Sequence, residues 1–110
     1  MDVSSSWTAH DWLSQGGELL DTDPWLAKRL MTRGLQLEPN ESIAWFNLGI
    51  SLHQQRRIAA AVRAYKHCLE LLNSEKTKQS AQNNLAQDLL LLGCWEEGWK
   101  YYEQRFARKP

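Results

Sequence analysis

The stretch Ser42 to Asn73, SIAWFNLGISLHQQRRIAAAVRAYKHCLELLN, decides the fold. Its apolar residues recur at three- and four-residue steps, the period of an α-helix. Trp45, Leu48 and Leu52 share one helical face with Gly49 among them, and a glycine there lets a second helix approach where any side chain would intervene. Beyond a turn at Gln54 to Arg57, a second stripe follows: Ile58, Ala61, Val62, Tyr65, Cys68, Leu69 and Leu72. That stripe is wide enough to pack on two neighbours. A single helix pair cannot bury both of its faces, so the flanking sequence has to supply more pairs.

Upstream, Trp12, Gly16 and Leu19 repeat the spacing of Trp45, Gly49 and Leu52 residue for residue. The lead-in Met1 to Ser6 is expected to fray, with helix from about Trp7 or Thr8 to Leu20. Asp23 before Pro24 is a strong helix start, because the carboxylate accepts from free N–H groups and proline suits the first turn. The helix it opens runs to about Leu37 with the stripe Ala27, Leu30, Met31, Gly34 and Leu35, and Pro39-Asn40 reads as its stop and the next cap. Downstream, Gln82, Leu85, Ala86 and Leu89 match Trp45, Leu48, Gly49 and Leu52 at a step of 37 residues, and Gly98 and Tyr102 match Ala61 and Tyr65 at the same step. The step exceeds a 34-residue period by about one helical turn. The spacing therefore predicts a longer first helix, about Glu75 to Leu92, then a turn at Gly93-Cys94 and a last helix from Trp95 to Arg108.

The Trp/Leu/Gly, Ala and Pro positions of all three units resemble the tetratricopeptide (TPR) repeat. The units are roughly residues 8–39, 42–73 and 75–110, so the resemblance spans nearly the whole chain. It implies an all-α single domain of six antiparallel helices, stacked as a right-handed superhelix whose concave surface is lined by the first helix of each pair and binds a protein or peptide. Arg56 stands where such repeats usually have glycine, which implies a strained turn. The last unit carries Asn84-Leu85-Ala86, Gly93, Glu96-Glu97-Gly98-Trp99, Tyr102-Glu103 and Arg105-Phe106. It resembles the repeat that precedes the catalytic part of bacterial TPR-containing glycosyltransferase-like proteins. No catalytic part is present, so that resemblance implies an interaction portion rather than an enzyme.

On the repeat geometry, the partner-binding surface would include Phe46, Asn47, Ile50, His53 and Gln54 from the second unit and Asn83, Asn84, Gln87, Leu90 and Leu91 from the third. Leu13, Ser14, Gly17 and Leu20 would extend it into the first. Asn47 and Asn84 occupy the same place in their units, and an amide that both donates and accepts suits an extended peptide backbone. The clamp that reads a C-terminal carboxylate needs Lys or Arg on this surface, and none stands there. A partner with apolar side chains and little charge is expected. A free-standing adaptor, assembly factor or co-chaperone-like scaffold is the alternative within the same class.

Composition bounds the remaining classes. Lys plus Arg and Asp plus Glu number 13 each, so no net field draws in nucleic acid or an anionic membrane, and an RNA-binding helical repeat is a remote alternative. Apolar runs such as Ile58 to Val62 and Leu89 to Leu92 are far short of the ~20 residues that span a bilayer, and the start carries no signal-peptide pattern. A cytoplasmic protein is expected. His10, His53 and His67 have no second His or Cys at helical spacing, so no metal and no cofactor are expected. Cys68 and Cys94 read as structural. His10, Asp11 and Ser14 share one helix without an oxyanion donor, which reads as a solvated helix start rather than a hydrolase triad. Six tryptophans are unusual for this length, and aromatic bodies of that size, Trp45 among them, are expected to carry much of the core's buried area. The last helix carries more aromatic surface than one neighbour can cover, so Trp99, Tyr101, Tyr102 and Phe106 mark a face for a next domain or a homodimer.

Overall fold

The structure, a computed structural model, describes residues 6–71 and 74–107, with 104–107 described as backbone. Leu72 and Asn73, the lead-in Met1 to Ser5, and Arg108 to Pro110 lie outside the described residues, as does the side chain of Phe106. Six helices follow in order: α1 (Ala9–Glu18), α2 (Pro24–Leu37), α3 (Ser42–Gln54), α4 (Ile58–Glu70), α5 (Glu75–Leu91) and α6 (Trp95–Ala107). The third pair's first helix has 17 residues against 13 in α3, which is the longer helix that the 37-residue step requires.

Local chemistry fixes the helix starts. Thr8 and Asp11 form a reciprocal capping box on α1, Asp23 accepts from the Leu26 N–H at 3.1 Å ahead of Pro24, and Ser74 accepts from the Thr77 N–H. At α3 the expected cap is absent. Its N-cap is Glu41, which makes no side-chain cap bond, so Asn40 is not the cap. Trp45 takes part instead, donating its indole N–H to the Pro39 carbonyl at 2.7 Å and so tying the loop to the helix it precedes.

The glycines act as expected. A Cβ on Gly49 would collide with the Tyr65 ring, one on Gly16 with Met31, and one on Gly34 with Leu13, so each first helix lies directly on its partner. Large aromatic bodies such as Trp45 were expected to carry much of the core, but none of the six tryptophans is buried. Trp7, Trp12 and Trp45 are half-buried, while Trp25, Trp95 and Trp99 are exposed. The interior is filled instead by Tyr65, Met31, Leu85 and Leu89, with Tyr65 lying against Gly49 and Met31 against Gly16.

The molecule is elongated, 52 × 27 × 20 Å, because each pair packs on the next rather than around a common centre. The backbones of α1 and α3, and of α3 and α5, approach one another, whereas those of α2, α4 and α6 do not among the described residues. The first helices therefore form the inner row of a curved stack. On the outer row long side chains span the gaps: the Arg57 guanidinium lies 5.4 Å from the Trp25 ring, and Lys66 pairs with Glu97 at 2.6 Å. The Lys66 ammonium is held above its ordinary pKa range chiefly by that bond.

Two turns between paired helices share one geometry. After α3, the N–H of Arg57 bonds the Leu52 carbonyl and that of Arg56 the His53 carbonyl; after α5, Cys94 bonds Leu89 and Gly93 bonds Leu90. This double bond pattern places the residue between in the left-handed region. Gly93 has φ +80° and Arg56 φ +63°, so the expected strain at Arg56 is present.

Candidate functional site

Two clefts run along the inner row. The first, about 670 Å³, lies between α1 and α3. Leu13, Ser14 and Gly17 of α1 face Ile43, Ala44 and Asn47 of α3, and Glu38 and Glu41 stand at one end. Room is left because Gly17 has no side chain: a Cβ there would reach only ordinary contact distance, 3.6 Å, from the Asn47 amide nitrogen. His10 also lines this cleft, with its Nε2 3.3 Å from Ser14 Oγ, and both residues are exposed. Asp11, the third member of that sequence cluster, binds the Thr8 N–H at 2.9 Å and so belongs to the helix cap.

The second cleft, about 150 Å³, lies between α3 and α5. It brings together Ile50, His53 and Gln54 of α3 with Asn84 and Gln87 of α5. Five of the residues expected to bind a partner thus share one depression. Phe46 turns inward instead, its ring centroid 6.0 Å from that of Tyr65, and packs on the core. Asn83 is half-buried and lines neither cleft, and Leu91 is exposed at the end of α5. Leu90 lies against Gly98, where a Cβ would sit 2.9 Å from its methyl carbon. Leu20 is half-buried beyond the end of α1.

Two members of the second cleft were not read from the sequence as site residues, Tyr65 and Asp88. Tyr65 belongs to the core stripe, and its hydroxyl comes within 3.5 Å of the Asn84 Nδ2 donor. Burial, reinforced by the nearby Asp88 charge, holds its phenol above the ordinary range, so the hydroxyl keeps its proton. Asp88 is 1% exposed. Its Oδ1 lies 2.7 Å from His53 Nδ1, joining α5 to α3, while its Oδ2 is buried without a hydrogen-bond partner. Burial raises the Asp88 pKa, and the charge and hydrogen bond of His53 act in the opposite direction. The sequence does carry a signal for this pair. Asp88 stands three residues after Leu85 and one before Leu89, on a face that must be buried, and such a carboxylate needs a partner.

Neither cleft wall carries a Lys or Arg; the ionisable groups are carboxylates, histidines and the Tyr65 hydroxyl. Among the described residues no group of three His, Cys, Asp or Glu is placed to hold a metal ion, and no helix is long and apolar enough to cross a membrane. Cys68 is buried, which pushes its thiol up to about 11, and Cys94 is exposed in the turn before α6.

No family model matches the chain. It is 33% identical over 67 residues to the peroxisomal targeting signal receptor of Saccharomyces cerevisiae, a match that covers 61% of this chain and 10% of the receptor. The receptor of the same name from Candida glabrata is 33% identical over 63 residues, covering 57% of this chain and 10% of that protein. The chain thus matches about a tenth of the length of these curated relatives. Among solved structures, a chain of the CopN-Scc3 complex superposes with a TM-score of 0.79 at 20% identity, over 100% of this chain and 72% of that one. The stacked helix pairs, the glycine contacts and these likenesses agree: the chain is an all-α helical repeat of the tetratricopeptide type.

Proposed function

We propose that this chain is a non-catalytic protein-interaction module that holds an extended segment of a partner along the inner row of α1, α3 and α5. The observation that carries this reading is the pair of clefts between successive first helices, which align amides, histidines and carboxylates along one surface. Asn47 in the first cleft and Asn84 in the second supply donor and acceptor groups for a peptide backbone. The relatives support the reading, because the yeast proteins are by name receptors for a targeting signal and the solved neighbour is part of a complex. An uncharged segment was expected, but the lining shifts that preference: Glu38, Glu41 and Asp88 favour a segment with positive charge beside its apolar side chains.

The reading is tested with nonapeptides selected from a displayed random library on the wild-type chain. Gly17→Arg fills the first cleft without a clash at the Cβ, whereas Thr32→Arg adds the same charge to the exposed surface of α2. Loss of binding in Gly17→Arg with retention in Thr32→Arg is the expected result. Equal binding by both variants would remove the inner row from the site.

The resemblance of the last repeat supports a further reading, that the chain is the interaction portion of a glycosyltransferase-like protein. At that end Trp95 is 61% exposed, Trp99 49% and Leu91 66%, and Trp99 meets Tyr102 edge-on at 5.3 Å. Tyr101, by contrast, packs on the core. Such a face suits a following domain or, in the chain alone, a second copy. Light scattering over a concentration series checks the second case: a rise in mass that Trp99→Lys abolishes supports a dimer, and constant monomer mass rejects it.

A further inference from the structure

The α3–α5 cleft contains a charge whose coordination is incomplete. Asp88 Oδ1 is taken by His53, and Oδ2 is buried with no donor. An underpaired buried carboxylate oxygen is costly, and the cost is relieved by any donor that reaches it. The surroundings define that donor. Gln54 and Gln87 are exposed at the rim, Asn84 and the Tyr65 hydroxyl lie deeper, and all four bring oxygen acceptors. No Lys or Arg lines the cleft to neutralise the carboxylate.

We propose that this cleft is a subsite for a primary ammonium group, the end of a lysine side chain in the bound partner segment, with the Asp88 carboxylate in its wall as the counter-charge. An ammonium carries three donors on a compact head and finds the carboxylate together with neutral oxygens. The alternative cation, guanidinium, binds best to two oxygens of one carboxylate in a fork. Here the fork is closed, because His53 occupies one oxygen. The volume argues the same way, since about 150 Å³ accommodates roughly five waters at about 30 Å³ each and so one narrow side-chain end. The subsite rests on the inner-row reading above and names which side chain that row selects.

The experiment titrates the full isotope-labelled chain with three probes, the Nα-acetyl amides of lysine, arginine and norleucine, and follows the side-chain amide resonances of Asn84 and Gln87. Saturable shifts are expected with the lysine probe, at an affinity at least tenfold above norleucine, its uncharged counterpart, and above arginine. Norleucine equal to lysine would overturn the charge role, arginine equal to lysine would overturn the ammonium class, and no saturable shift with lysine would overturn the subsite altogether. Asp88→Asn is expected to abolish the lysine preference; should that variant not fold, the three wild-type titrations already decide. The wider reading fails separately, through selected peptides that ignore Gly17→Arg.

Discussion

At the joint between the first two repeats, Ser51 of α3 is fully buried and gives its hydroxyl to the Pro24 carbonyl of α2 at 2.5 Å, with Gln55 donating to the same carbonyl at 3.0 Å. At the next joint, 37 residues on, Asp88 of α5 is equally buried but reaches His53 of α3. The two residues hold equivalent positions in their repeats. A serine gives its one hydrogen to a backbone oxygen, and what stays open at that joint is neutral, the buried Gln55 Oε1. An aspartate has two oxygens to satisfy, and one bond leaves the other open. The first joint is therefore bound by a neutral bond away from an open cleft of about 670 Å³, while the second carries its charge in the wall of a cleft of about 150 Å³. One repeat design thus yields two clefts that differ in size and in the charge of their walls.

Substitutions can break this contrast. Tyr65→Ala removes the largest fully buried side chain, which fills the space left by Gly49 and lines the second cleft, and should cost roughly 3–5 kcal/mol in urea denaturation. His53→Ala strands the Asp88 carboxylate and should cost about 2 kcal/mol near neutral pH, the scale of a hydrogen bond to a charged group. Ser51→Ala loses a neutral bond and should cost about 1 kcal/mol by the same measurement. If Ser51→Ala cost more than His53→Ala, the charged joint would not be the more demanding one.

The Asp88 titration sharpens the contrast further. Its folded pKa is raised above the ordinary value of about 3.9, so the native state holds the proton more tightly than the unfolded chain. The resulting stabilisation is fully present below about pH 3.9 and is lost as pH rises through the raised value. Relative to Asp88→Asn, the wild type should therefore be most stable at the acid end of a pH series of denaturation curves and lose that margin toward neutrality. A margin that grew with pH would mean that His53 outweighs burial at this site. The smallest change is expected from Arg56→Gly, which relieves the left-handed residue after α3 and should raise stability by about 1 kcal/mol, while Gly93→Ala at the matching turn should lower it by a similar amount.

The architecture was legible because it rests on periodicity and on small residues. Gly16 and Gly49 announced close helix contact, Asp23-Pro24 a helix start, and the 37-residue step a longer fifth helix. Arg56 announced a strained turn. What remained hidden depended on which way a large side chain turns. Tryptophan spacing does not reveal that Met31 and Tyr65 fill the glycine contacts while Trp25 faces solvent. The capping residue of α3 was also illegible, because Trp45 reaches back to Pro39 and leaves Asn40 no capping role. At the site, helical phase was enough to place His53, Asn84 and Gln87 on one surface. It could not show that His53 is held by a carboxylate from the following repeat, because that contact joins residues 35 apart across a joint.

The inner row, with its carboxylate lining, is proposed to receive a partner segment carrying positive charge. Resonance mapping with two nonapeptide pools, identical except for a central lysine or a central glutamate, tests it most directly. The lysine pool should shift backbone amides of α1, α3 and α5 and leave α2 and α4 unmoved, while the glutamate pool should bind at least tenfold more weakly. Shifts concentrated on α2 and α4, or equal binding by the two pools, would contradict it.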